Sequence, residues 1–123
     1  MLKYKQHTVK IAAGENNASQ NLSTIHGNVV GWATVPSDTS VNADIVIKDG
    51  ANAVLEQIDV RVGSVLKANN FINGIVPLEI RDPGQLRTEI FVNENLAEDY
   101  EVKVIIYYKD TDDLTLKNCG CNA

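Results

Sequence analysis

Apolar and polar residues alternate along this chain in short segments, each cut off by turn-forming residues, and no apolar stripe recurs at helical spacing over three turns. A period of two predicts strands, and many short strands separated by turn signals predict two antiparallel sheets packed face to face. The cleanest alternation lies in residues 100–109, where Val102, Val104, Ile106 and Tyr108 share one face. Ile58, Val60 and Val62 make a second such row, and Leu86, Ile90 and Val92 a third. These rows are expected to oppose one another as the core of a single β-sandwich of about seven to eight strands. Ala43, Ile45 and Ile47 line one face of a further strand, and Asp49-Gly50 after it is a turn that accepts positive φ, so a hairpin is expected there.

The exceptions to the alternation are as informative. Residues 22–35 hold Gly27 and Gly31 among β-branched side chains, which mark a bulge or sharp bend and predict one bent strand or two short ones, closed by Pro36-Ser37-Asp38. Trp32 within it reads as a core or rim anchor rather than a platform for a sugar. Pro77 lacks a backbone donor, so its strand is expected at a sheet edge or bulged. Asp82-Pro83-Gly84 fits a turn. Residues 63–70 are ambiguous, with Val65, Leu66 and Phe71 capping the core from a short helical turn or a loop.

Residues 12–20 lose periodicity and read as a flexible connection. The expected organisation is therefore an N-terminal arm or strand with its linker (1–20), a sandwich domain (21–116) and a short C-terminal tail (117–123). Leu2–Ile11 would sit apart or contact another subunit, with Lys3, Lys5 and Val9 as contact candidates. Phe91, Ile105 and Tyr107 complete the interface candidates, because they are apolar residues on the faces opposite the expected core and need a loop or another molecule over them.

Composition changes this picture little: 44% hydrophobic and 22% charged residues exclude disorder for most of the length. Charge changes it more. The net charge is −5, yet the first ten residues carry Lys3, Lys5 and Lys10 and no acid, so the body is more acidic than the whole. An acidic body lacks the cations that displace counterions from a nucleic-acid backbone, so no nucleic-acid partner is expected. The three lysines suit either contact with an acidic neighbour or an edge strand protected against aggregation. No stretch reaches the ~20 apolar residues of a membrane helix, and Met1-Leu2-Lys3-Tyr4 opens no signal-peptide core. The expectation is a protein made without Sec export and without a membrane partner.

The chemistry of a reaction is hard to assemble from these residues. Nucleophilic catalysis needs an oriented base, and His7 and His26 are the only imidazoles, neither beside a strained nucleophile turn. Sixteen acids form many pairs and specify none. Asp110, Asp112 and Asp113 cluster as a calcium site would, without the EF-hand glycine and closing glutamate. Cys119-Gly120-Cys121 places two thiols on one side of an extended chain, where a metal contact, a redox or intersubunit contact and a plain tail are all open. The glycines form neither a dinucleotide fingerprint nor a P-loop. The reading is a non-enzyme with no cofactor and no metal.

Two stretches, VPSDTSVNADIVIKDGANAVLEQIDVRVG and IVPLEIRDPGQLRTEIFVNENLAEDYEVKVIIYYKD, resemble the small jelly-roll or related β-sandwich structural proteins of bacteriophage particles. The resemblance spans roughly residues 20 to 110 and lies in the VPxDTxV-type opening, the amide-rich turns and the closing aromatic strand. It implies an antiparallel jelly-roll-like sandwich serving as a capsid vertex, decoration, spike-base or fibre-anchoring subunit. Such a protein is synthesised in the host cytoplasm, resides in the virion, and partners itself as a homo-oligomer and other virion proteins. The alternative is a carbohydrate- or peptide-binding module of a bacterial surface or enzyme complex, using Trp32, Tyr107 or Tyr108.

Overall fold

The computed structural model describes residues 2–22, 24–64, 75–81 and 83–110. They form the strands β1 (Leu2–Ile11), β2 (Asn17–Asn21), β3 (Gly27–Pro36), β4 (Ala43–Asp49), β5 (Asn52–Asp59), β6 (Val76–Ile80), β7 (Leu86–Val92) and β8 (Tyr100–Asp110). A 3-10 turn, Val60–Gly63, follows β5. The strands build two four-stranded sheets, ordered β1-β8-β3-β6 and β2-β7-β4-β5, and their pairings are antiparallel.

The order has a simple origin. The fourth strand pairs with the fifth, the third with the sixth, the second with the seventh and the first with the eighth. The chain is thus one long hairpin, closed where Gly50 takes φ +61°, and rolled so that successive pairs fall alternately in the two sheets. This is the connectivity of an eight-stranded jelly roll.

Between the sheets lie Trp32, Ile45, Ile47, Ile90, Val102, Val104 and Ile106, all with essentially no exposure. The expected rows on β7 and β8 are core rows, and Trp32 is a core residue. The bulge expected among the glycines falls between Val29 and Gly31, where the register against both β6 and β8 shifts. A Cβ on Gly31 would stand 2.5 Å from Ile75 Cγ2 and 2.9 Å from the Val76 carbonyl oxygen, so the close approach of β6 demands glycine. Pro77 pairs with Gly31 on the strand that ends that sheet, where a missing donor costs least.

Three readings are corrected. Val62 was expected in the core row with Ile58 and Val60 but is 52% exposed. The chain leaves β5 at Asp59, whose carboxylate accepts the Arg61 amide and starts the 3-10 turn, so the strand and its period of two end before Val62. Val9, a contact candidate, is 2% exposed and belongs to the core. Residues 12–20 are not a free connection: Gly14, at φ +88°, donates its amide to the Leu96 carbonyl, the Leu96 amide donates back to Glu15, and β2 pairs with β7. The first twenty residues thus supply an edge strand to each sheet. Their polar sequence, NASQN in β2, hid the strand because an edge facing solvent needs little apolar alternation. The readings for Val65, Leu66 and Phe71, for the carboxylates beyond residue 110, for Leu114 to Leu116 and for Cys119 and Cys121 fall outside the described residues.

Candidate interaction surface

Among the described residues, the longest unpaired strand edge of the sandwich belongs to β1. It pairs with β8 on one side over ten consecutive residues, from Leu2 opposite Lys109 to Ile11 opposite Tyr100, and ends its sheet on the other. Neither proline nor a register shift interrupts it, and such features are what natural edges use to block pairing with another chain. Alternation along β1 puts His7, Val9 and Ile11 on the core side with Val104, Val102 and Tyr100, and Leu2, Tyr4 and Gln6 on the outside.

The outer face beside this edge is apolar. Tyr4 and Leu2 are 59% and 47% exposed. The Tyr4 ring lies 6.3 Å from that of Tyr107 with the planes tilted by 51°, within the range of favourable aromatic pairs. Ile105 and Tyr107, expected under a loop or against another molecule, are only 8% and 1% exposed, packed in one cluster with Ala33, Val30, Val35 and Ile75. The chain covers them itself, which leaves Leu2 and Tyr4 as the uncovered margin of the patch. Burial raises the Tyr107 hydroxyl above the usual phenol range, and the neighbouring Tyr4 adds to the shift.

Two of the strand's lysines, Lys5 and Lys10, are engaged within the chain. Lys5 Nζ donates to the Thr24 carbonyl at 2.7 Å. Lys10 sits 3.2 Å from Asp99, whose carboxylate also accepts the Ala13 amide at 2.9 Å. Those two contacts, the backbone one foremost, hold Asp99 below the usual carboxylate range. Lys3 and Lys5 lie on the inward side of the strand, in register with Tyr108 and Ile106.

Phe91 stands elsewhere. It is half-buried on the outer face of the second sheet, between Asn17 and Asp44. Around Phe91 and Val46 that face is polar: Glu89 lies between Lys48 at 3.2 Å and Arg87 at 3.8 Å, and Arg87 donates to Ser19 Oγ at 2.8 Å. The interface candidates therefore separate into the β1 edge (Lys3, Lys5), the covered outer patch (Ile105, Tyr107), the core (Val9) and the opposite face (Phe91).

Sequence reading missed two polar arrangements because their partners are far apart in the chain. Arg61 grips Asp59 at 2.7 Å, Asn42 Oδ1 at 2.8 Å and the Thr39 carbonyl at 3.3 Å, tying the loop before β4 to the 3-10 turn. Close by, Tyr100 holds its hydroxyl buried without a hydrogen-bond partner. Burial first, then the Asp59 and Asp38 charges, push that phenol up to about 12 against the opposing pull of Arg61. The other arrangement, His7 with Thr88, spans the two sheets.

The aromatic residues offered for a sugar do not form a platform: Trp32 and Tyr107 are buried and Tyr108 is half-buried. An open depression of about 800 Å³ does lie across Asn28, Val30, Pro77, Leu78, Arg81 and Lys109. Among the described residues no group of three or more His, Cys, Asp or Glu is placed to hold a metal ion. No helix among them is long and apolar enough to cross a membrane.

No protein-family model matches the chain, and no curated protein matches it in sequence. Among solved structures it is similar to the Yersinia pseudotuberculosis-derived mitogen, at 11% identity and a TM-score of 0.49 over 89% of each chain. It is similar also to Salmonella Typhimurium PliG, a periplasmic inhibitor of g-type lysozyme, at 17% identity and a TM-score of 0.47 over 84% of this chain and 90% of that one. A Bacillus endospore appendage protein that forms disulfide-linked pili overlaps 89% of each chain at 13% identity and a TM-score of 0.39. Likeness at these values says nothing about function.

Proposed function

We propose that this chain is a non-enzymatic structural protein of a bacteriophage particle, a capsid vertex, decoration, spike-base or fibre-anchoring subunit, acting through contacts with its own copies and with other virion proteins. The observation that carries the reading is the β1 edge: ten residues of regular strand, unbroken by proline or bulge, with Leu2 and Tyr4 exposed beside it and Lys5 and Lys10 engaged elsewhere. An edge of this kind is completed by an extended strand of a second molecule, whose main chain supplies hydrogen bonds while its side chains meet the apolar margin. The jelly-roll connectivity adds an analogy, since that architecture recurs in viral capsid domains.

The test uses phage particles banded on a density gradient and examined by quantitative mass spectrometry. The proposal expects this chain in the particle band at a fixed copy number relative to the major shell protein. Recovery of the chain only in the free-protein fraction refutes it.

A further inference from the structure

His7 is a part-buried ionisable side chain on the inward face of β1, facing the other sheet. It stands opposite Val104 on β8, between the Val102 and Ile106 rows. Its Nε2 reaches across to the other sheet and lies 3.1 Å from Oγ1 of Thr88, itself 1% exposed. Its Nδ1 is buried and has no hydrogen-bond partner among the described residues. A neutral imidazole fits this place, because one nitrogen is satisfied by the hydroxyl and the other, when it carries no proton, leaves only a weakly solvated lone pair.

An imidazolium does not fit. Both nitrogens would then be donors, and Nδ1–H would point into the core without an acceptor. Among the described side chains, no carboxylate faces His7 from a strand packed on β1. The described inward side chains of β8 are Tyr100, Val102, Val104, Ile106 and Tyr108, and those of β7 near it are Leu86, Thr88 and Ile90. β2 contains no ionisable residue. Arg87 and Glu89 flank Thr88 but point to the opposite face, where they pair with each other and with Lys48. Glu101 and Lys103 alternate with the inward residues of β8 and lie outside. The only charges on His7's own side of β1 are Lys3 and Lys5, of the same sign as the imidazolium. Consistent with this, burial holds the His7 imidazole below its usual range.

The position of His7 decides what its protonation does. Charging a histidine deep in a central strand strains the whole fold, whereas β1 ends its sheet and, among the described strands, pairs with β8 alone. Relief is local: β1 lifts, the imidazolium reaches water, and the remaining strands keep their order. We propose that His7 is a proton-operated latch, holding β1 shut across the sandwich when neutral and releasing that strand when protonated.

Hydrogen exchange on the full chain tests this, comparing amides of β1 with those of β4 and β5 at pH 7.5 and pH 5.0 after correction for intrinsic rates. A group held less basic in the folded than in the open form binds its extra proton only on opening, so protection is lost as pH falls below the ordinary histidine range. The latch predicts at least about a tenfold fall in β1 protection over that interval, with β4 and β5 unchanged. His7→Gln keeps an amide within reach of Thr88 and cannot titrate, so its β1 protection should not depend on pH. Should that variant fail to fold, nuclear magnetic resonance titration of the wild-type His7 ring decides, since its midpoint must coincide with that of β1 opening. Equal loss in all strands, an equal fall in His7→Gln, or a His7 midpoint that does not track β1 exchange overturns the proposal.

Discussion

Gly63 is fixed by the indole of Trp32, and one methyl group added there should be felt by the whole molecule. A Cβ at residue 63 would lie 2.3 Å from Cζ3, 2.7 Å from Cη2 and 2.8 Å from Cε3 of Trp32, all inside the shortest separations that carbon atoms adopt. The indole cannot yield, because Trp32 is fully buried among core side chains and its strand is paired on both sides, with β6 and β8. Overpacking a core by one methyl typically costs ~1–3 kcal/mol. Three simultaneous clashes against a rigid ring put Gly63→Ala at the upper end, ~3 kcal/mol, a large share of the ~5–15 kcal/mol that holds a domain together.

Urea unfolding followed by far-ultraviolet circular dichroism measures this without using the tryptophan as probe. The same substitution made in a Trp32→Leu background, which removes the ring edge, should cost less than ~1 kcal/mol, leaving a coupling of ~2 kcal/mol between the two sites. The urea slope should stay the same in each pair, since the surface exposed on unfolding hardly changes. A Gly63→Ala protein within ~0.5 kcal/mol of the parent, or an equal loss in both backgrounds, would refute the packing argument.

Other substitutions probe other parts of the structure. Ile106→Asp should abolish folding, because an unpaired carboxylate between the sheets costs several kcal/mol, and Ile105→Asp should also lower the melting temperature, since Ile105 is covered by the chain's own outer cluster; an unchanged melt for Ile105→Asp would place that side chain in solvent. Thr34 Oγ1 donates to the Val60 carbonyl at 2.8 Å in a fully buried setting, so Thr34→Val should destabilise by ~1–3 kcal/mol with Thr34→Ser recovering part of it, as read by chemical denaturation. The Tyr100 phenol, pushed up to about 12, stays protonated in the folded chain while the unfolded chain ionises near the ordinary tyrosine range. Its contribution to stability is therefore present below that range and lost as pH rises through it, and Tyr100→Phe should remove that part of the alkaline decline while leaving neutral-pH stability unchanged or slightly higher, because it deletes a buried hydroxyl without a partner.

Most of the fold could be read from the chain because the rows that carry it obey a strict period of two: Val102, Val104 and Ile106 on β8, and Leu86 and Ile90 on β7, face inward as the pattern requires. Turn chemistry was equally plain at Asp49-Gly50 and at the Gly31 bulge, where backbone geometry permits few other residues. Legibility ended where the pattern depends on distant partners. Val62 continues an alternation that the Asp59 cap has already stopped, and one carboxylate-to-amide bond is invisible in periodicity. β2 contains almost no apolar residue, so its pairing with β7 had no signature. The polar bonds of the surface described above, Lys5 to Thr24, Lys10 to Asp99 and His7 to Thr88, join residues 19 to 89 positions apart, and only the rolled hairpin brings them together. Ile105 and Tyr107 showed that a second apolar face exists, but the pattern left open whether a loop or another molecule covers it, and the chain's own side chains do.

Assembly through the β1 edge is the central claim, and sedimentation equilibrium of the full chain across a micromolar concentration series tests it most directly. The edge reading predicts a mass above that of the 13.4 kDa chain, reduced to that of one chain by Leu2→Glu with Tyr4→Glu, while the melting temperature of the variant shows an intact sandwich. A parent protein that sediments as a single chain throughout the series, or an assembly indifferent to both substitutions, would contradict it.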